Sequence, residues 1–335
     1  MSLIEIKNLY HNYGTFHLDN INISIAEKQI AYLIGNSGSG KSTLLKLIAG
    51  LENAKSGEIS VNGQVVFSNR NLVKPEDRGV GIIFQYPSLF PHKTVIENVI
   101  FAIRGMDKNA KYNFAMEKLR DVGMDSYADY APYAISGGQQ QLVTIARTLA
   151  QRPKVVLLDE PFSNLDSALR RKIREQMLSI LLDHDVAAIV VTHDPEEALE
   201  MANNIYVMRD GSIIQHGSPH DIYYRPVDLR FAKFFGLINP IPGKYKDNTL
   251  HTAWGKISLS SPKKLPYARP EAILLCNAEE GLPSVVKNVR FFNRIVDIEI
   301  QGAIYHVRFT IALLPKKGDI IYVKLDTKQL LFLTN

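Results

Sequence analysis

The sequence predicts a layered α/β domain with a largely parallel sheet, followed by a small all-β domain. Three observations predict this. From residue 30 to about 209, short apolar runs of strand type ("IAYLIG", "GVGIIFQ", "KVVLLDEP", "AAIVVTHD", "NIYVMRDG") alternate with helical patterns. From Lys244 onward helix periodicity gives way to short strands, "SVVKNVRFF", "RIVDIEI", "IYHVRF" and "DIIYVKL", with Gly302, Pro315 and Gly318 at turns. Between the two lies "GLINPIPGK", whose glycines and prolines mark a boundary, so the domains are expected at 1–237 and 238–335.

Taken in order, the first domain opens with antiparallel-looking strands over 3–9 and 21–25, where apolar and polar residues alternate. The strand "IAYLI" runs into "GNSGSGKST" over 35–43 and then into the helical run "TLLKLIAGL", which is the context the G-x-x-x-x-G-K-[ST] motif requires. Glycines there let backbone N–H groups turn inward around phosphates, and the helix N-terminus adds its positive dipole end. Asn36, Ser37, Gly38, Ser39, Gly40, Lys41, Ser42 and Thr43 are therefore candidate phosphate-binding residues. Lys41 is placed to reach the β and γ phosphates, and the Ser42 hydroxyl to ligate Mg²⁺.

Further along, "VVLLDE" ends an apolar strand in two carboxylates, where open α/β sheets place their ligand chemistry. Asp159 is the candidate for the Mg²⁺ shell and Glu160 for orienting or polarising the attacking water. Gln85 ends "GIIFQ" and could touch both metal and water, although a glutamine there is commonly just solvated. His193 in "VVTHDPEEA" ends another strand and could reach a γ phosphate; alone it would more often cap the next helix. Tyr13 in "HNYG" could stack on adenine. Ser136, Gly137 and Gly138 open the helix of "ISGGQQQLVTIARTLA" with N–H groups suited to an anion. With one phosphate loop already present, the economical use of this second anion site is to close over the γ phosphate from another subunit of a two-fold dimer.

Composition limits the alternatives. The chain has 335 residues, 46% hydrophobic and 22% charged, which excludes disorder as the leading idea. A net charge of +5 suits a nucleotide, an anionic membrane surface or nucleic acid without choosing among them, and equally a solvated basic surface. The single cysteine, Cys276, excludes an intramolecular disulfide and fits a reducing compartment. "MSLIEIKNLYHNYG" reads as a strand and not a signal peptide, so no export is expected. No 18 consecutive residues are apolar, so any membrane role is expected to come through partners.

The order Tyr13, "GNSGSGKST", Gln85, "ISGGQQQ", "LLDEP", "SNLD", "VTHD" resembles the nucleotide-binding subunit of ATP-binding-cassette (ABC) transporters. The resemblance covers 13–193. It implies a P-loop NTPase fold with a RecA-like core, an antiparallel β-subdomain and a helical subdomain over about 90–150, its residues 108–133 facing the membrane partner. It also implies ATP held between two subunits, with Tyr13 as the A-loop, Gln85 the Q-loop, Ser136 to Gln139 the signature, 163–166 with Asp166 the D-loop, and His193 the H-loop. "GSIIQHGSPHDIYYRPVDLRFAKFFG" and the β region after it resemble importer ATPases with a C-terminal OB-like regulatory domain, "ARPEAILL" over 268–275 being its usual strand. Within that group "DEPFSNLDSALRRKIREQM" and "RPVDLRFAKFFG" look most like the ferric-ion import ATPases, while sugar, polyamine, sulfate and phosphonate importers share most of these motifs.

The resemblance thus implies a homodimeric ATPase using ATP and Mg²⁺ on the cytoplasmic face of a bacterial inner membrane. Its partners would be permease subunits and, indirectly, a periplasmic binding protein, with no nucleic acid expected. A soluble ABC-type ATPase acting on nucleic acid is the rival from another class, and an exporter ATPase is disfavoured by the β domain, itself a brace, a ligand sensor or a ferric-ion site. Three departures stand out. Lys28 and Gln29 replace Gly-Glu, Ala134 stands where importers usually have Glu, and Leu142 replaces an arginine. The spacing of Leu142 with Ile145, Ala146 and Leu149 predicts that it is buried on the helix's apolar face.

Overall fold

The computed structural model describes residues 2–334 except 15, 164–166, 247, 259–263, 292 and 311–313, and the side chains of 167–169. The chain forms two compact units, Met1–Pro219 and His220–Asn335.

The first unit contains, in order, β1 (Ser2–Tyr13), β2 (Phe16–Ala26), β3 (Ile30–Ile34), α1 (Lys41–Ala49), β4 (Ser56–Val61), β5 (Gln64–Ser68), β6 (Asn71–Leu72), β7 (Val80–Ile83), α2 (Val95–Phe101), α3 (Lys108–Asp121), α4 (Gly137–Leu149), β8 (Val155–Asp159), α5 (Ser167–Asp183), β9 (Ala187–Thr192), α6 (Pro195–Met201), β10 (Asn204–Arg209) and β11 (Ser212–Gly217). β1 and β2 pair from Ser2 with Ala26 to Tyr13 with Phe16, so both run well beyond the expected 3–9 and 21–25. The ladder survives through polar residues because irregularities between Ile6 and Leu9 and between Leu9 and His11 reset the register. Asn8 sits at such a break with φ 47, a conformation asparagine tolerates better than most residues.

Five strands form the antiparallel sheet, in order β2-β1-β4-β5-β6, and six form the second sheet, β11-β10-β3-β9-β8-β7. In the second, all neighbours are parallel except β10 and β11. Every residue of β3 and β9 is buried, as parallel strands covered on both faces require. The core joins Ile4, Ile6 and Leu9 of β1 to Leu44, Leu45 and Ile48 of α1 and to Leu157 and Val191 of the parallel sheet. Each such side chain contributes roughly 1.5–3 kcal/mol through the apolar surface it removes from water. The buried Arg78 donates from Nη1 to the carbonyls of Leu47 and Ile48, capping the C-terminus of α1. Because β3, β7, β8 and β9 run the same way, the residues following each emerge at one edge of the sheet.

Three helices occupy the region expected to be helical, about 90–150. α2 starts with a capping box between Thr94 and Glu97, and Asp107 caps α3 through the N–H groups of Asn109 and Ala110. In α4, Leu142 is 5% exposed beside the buried Val143, Ile145, Ala146 and Leu149, in agreement with its spacing. Ala134 is exposed, in a short turn ahead of α4. No helix among the described residues is long and apolar enough to cross a membrane.

The second unit contains α7 (Pro219–Tyr224), α8 (Leu229–Phe234), β12 (Asn239–Pro240), β13 (Gly243–Lys246), β14 (Thr249–Thr252), β15 (Gly255–Ser258), β16 (Leu265–Ala268), β17 (Ile273–Leu275), β18 (Leu282–Arg290), β19 (Ile295–Ile300), β20 (Ala303–Arg308), β21 (Ile320–Leu325) and β22 (Leu330–Leu333). After these two helices, three antiparallel sheets, β12-β16-β22, β13-β14-β15 and β17-β21-β18-β19-β20, make an all-β region consistent with an OB-like domain. The unit begins before the expected boundary of 237/238, because the two short helices belong with it. Arg269, almost wholly buried, donates to the carbonyls of Ala232, Gly236, Leu237 and Tyr223, and its guanidinium lies 4.1 Å from the centre of the Tyr223 ring. "ARPEAILL" is also not one strand: a turn over Pro270–Ala272 separates β16 from β17, since Pro270 has no N–H to give a ladder.

Candidate active site

The loop over 35–40 joins β3 to α1 at the carboxyl edge of the parallel sheet. Its turn depends on Gly40, at φ 106, where a Cβ would come within 2.5 Å of Leu18 Cδ2 and 2.6 Å of Phe16 Cζ. Lys41 is buried and folds back over the loop, its Nζ donating to Gly35 O at 2.9 Å and Asn36 O at 3.0 Å. Burial pulls its pKa down, against the carboxylates of Glu160 and Asp159. Ser39 is buried with its Oγ unpartnered.

Ser42 Oγ donates to Asp159 Oδ1 at 3.0 Å, which brings the end of β8 to the first turn of α1. Burial raises the Asp159 pKa, as does the neighbouring Glu160, while the Ser42 hydrogen bond and Lys41 and Lys46 lower it; the net shift is upward. A hydroxyl and a carboxylate side by side are hard oxygen donors, so these residues fit a Mg²⁺ ion, whose charge would counter the cost of ionising a buried carboxyl. Glu160 takes a left-handed backbone, φ 46, held by its N–H donating to Val191 O at 3.1 Å. Its Oε2 lies 3.1 Å from His193 Nδ1. Gln85 Nε2 donates to Ser163 Oγ at 3.1 Å, and Ser163 Oγ donates to Glu160 O at 3.0 Å. The structure thus brings Gln85, Asp159, Glu160 and His193 to one edge beside the loop.

A cavity of about 860 Å³ opens over this edge, lined among others by Tyr13, Ser37, Gly38, Lys41, Thr43 and Glu160. Tyr13 stands 82% exposed at the end of the β1–β2 pairing, opposite Phe16. Phe16, His11, Lys46, Glu52 and Asn53 also line the cavity and went unnoticed in the sequence. His11 was within reach, because β alternation puts it on the same face as Tyr13; Phe16 becomes visible only once the hairpin register is known. Ser163 and Thr192, which hold Glu160 and the strand before His193, lie inside the quoted "SNLD" and "VTHD" segments, but nothing there marks them as the residues that hold these groups.

Ser136, Gly137, Gly138 and Gln139 lie elsewhere, and none of them lines the cavity. Ser136 caps α4 reciprocally with Gln139: Gln139 N donates to Ser136 Oγ at 3.4 Å, and Ser136 N to Gln139 Oε1 at 2.9 Å. Asp166 lies outside the described residues.

The sequence profile of the family described as ABC transporter matches residues 18–163. The Fe(3+) ions import ATP-binding protein of Yersinia pestis is 38% identical, over 98% of this chain and 94% of its own length. The sulfate/thiosulfate import ATP-binding protein of Bacillus cereus is 32% identical, over 96% of each. Among solved structures, cbiO1 from Clostridium perfringens, described as part of the ABC transporter complex cbiONQ, superposes with a TM-score of 0.60 at 28% identity, over 66% of this chain and 90% of that one. With a glycine-rich loop facing strand-end carboxylates and this likeness along nearly its whole length, the chain belongs to the ABC transporter family. Within it the chain is an importer-type ATP-binding subunit and an ATPase.

Proposed function

We propose that the chain hydrolyses ATP as a homodimer, peripheral on the cytoplasmic face of a bacterial inner membrane, and energises import of ferric iron through permease subunits fed by a periplasmic binding protein. The observation that carries the hydrolytic site is the convergence of Lys41, Ser42, Asp159 and Glu160 at one sheet edge. Tyr13 stacks on the base, and backbone N–H groups of 36–43 with Lys41 hold the phosphates. Ser42, Gln85 and Asp159 would hold a Mg²⁺ ion, which would supply positive charge to the phosphate oxygens. Glu160 accepts the proton of the attacking water, and His193 contacts the γ phosphate while paired to Glu160. Ser136, Gly137, Gly138 and Gln139 of one subunit, with Asp166, complete the other subunit's site, which gives a reason for their distance from the cavity of their own chain.

The iron assignment is supported by a relative named for Fe(3+) import, 38% identical over 98% of this chain; a relative named for sulfate and thiosulfate import, 32% identical over 96% of it, favours sulfate as the second reading. The test is to recover the permease and its binding protein by salt-resistant co-purification with this chain, and to measure what the binding protein holds. Fe³⁺ supports the proposal, and sulfate, a sugar or a polyamine ends the iron reading.

A further inference from the structure

Glu197 is a carboxyl that neither the nucleotide nor the hydrolytic groups account for. It is 4% exposed, in the first turn of α6. Its Oε2 accepts from Thr192 Oγ1 at 2.9 Å, and its Oε1 from Tyr32 OH at 3.3 Å. Thr192 is the last residue of β9, and its Oγ1 in turn accepts from Asp194 N at 3.1 Å. The backbone is therefore tied on both sides of His193. Asp194 adds a second tie, its Oδ1 accepting from the N–H groups of Glu196 and Glu197 at 3.0 and 3.3 Å. Tyr32 lies in β3, in register with Val190 of β9, two residues before the strand passes into the phosphate loop. One carboxyl thus joins the strand that delivers the loop to the strand that delivers His193. Glu197 also shares a cavity of about 20 Å³ with Glu160 and His193.

Burying a carboxyl costs stability that an apolar side chain of similar volume would not. Consistent with that cost, burial raises the Glu197 pKa despite hydrogen bonds from Thr192 and Tyr32 and the nearby Arg174 charge. A group held at such a cost, with both oxygens committed to the two strands, is suited to fixing geometry.

We propose that Glu197 is a positioning residue for hydrolysis, holding His193 against Glu160 through Thr192 and registering His193 against the phosphate loop through Tyr32. This role rests on His193 being a hydrolytic group. Steady-state ATP hydrolysis by the purified full chain tests it in Glu197→Gln, Thr192→Val, Thr192→Ser, His193→Ala and the double variant Glu197→Gln/His193→Ala. Glu197→Gln and Thr192→Val are expected to lower kcat about ten- to a hundredfold while KM for ATP stays within about twofold. Thr192→Ser, which keeps the hydroxyl, retains near-parental kcat. In the His193→Ala background Glu197→Gln causes no further loss, because both act through one group. A merely structural role would lower kcat again in that background or raise KM in proportion, and either result overturns the proposal. Unchanged kcat in Glu197→Gln and Thr192→Val, with His193→Ala impaired, overturns Glu197 alone; unchanged kcat in His193→Ala overturns the reading of His193 and this role with it. If Glu197→Gln does not fold, the Thr192 pair decides by itself.

Discussion

Replacing Glu160 by glutamine separates chemistry from architecture in this protein. The backbone of Glu160 is held independently of its carboxylate, by N–H donation to Val191 O and by Ser163 Oγ donating to its carbonyl. Glutamine keeps the volume and can occupy the left-handed φ of 46, which a β-branched residue would strain. Among the described residues the carboxylate's partner is His193, which is 64% exposed; such exposed pairs contribute at most about 1 kcal/mol, so the melting temperature should move by no more than about 2–4 °C. Removing a general base, in contrast, lowers turnover about 10²–10⁴-fold, or roughly 2.7–5.4 kcal/mol on the barrier. Phosphate release at saturating ATP measures kcat, equilibrium binding of labelled ATP measures affinity, and size-exclusion chromatography in ATP reads the closed dimer, which should accumulate. A kcat within about tenfold of the parent, with ATP still bound, would refute the role of Glu160.

Lys41→Ala removes a buried cation whose hydrogen bonds to charged phosphate contribute about 1.5–3 kcal/mol each, so ATP affinity should fall at least tenfold in an equilibrium titration, and tight binding would count against the phosphate cradle. Leu142→Ala should cost about 2–5 kcal/mol in chemical unfolding, as large-to-small changes in a core do, with nucleotide affinity per folded molecule unchanged; a smaller cost would show that α4 does not pack through this side chain. In the second unit, burial opposes ionisation of Asp297, but hydrogen bonds from His306, Asn288 and Arg290 and the Arg290 charge prevail and hold its pKa below the usual value. The stability it contributes is therefore complete above the unfolded value near 3.8 and lost as pH falls through the lower native one. Unfolding of the full chain followed from pH 6 to pH 2 should show this loss, and Asp297→Asn should flatten it.

Much of what converges at this sheet edge was legible because its signals are local. The phosphate loop, the paired carboxylates and His193 each sit at a strand end recognisable from a short apolar run, and a loop between a strand and a helix needs glycine wherever side chains would collide, as at Gly40. The burial of Leu142 followed from helical spacing alone. Illegible were the contacts between residues distant in sequence. Tyr32 and Glu197, Gln85 and Ser163, and Arg269 with α7 and α8 meet only after the chain has folded, and nothing in their neighbours in sequence announces the meeting. The same reason explains the boundary, since glycine and proline mark where the chain can bend but not which unit a helix packs against.

By itself, then, the sequence determined the alternation of strands and helices in the first domain, the glycine-rich loop after β3 and the acids at the carboxyl edge, because periodicity and turn chemistry act over a few residues. Only the tertiary structure decided which side chains hold those groups in place, because hydrogen bonds and packing between parallel strands depend on distance in space and are indifferent to separation along the chain.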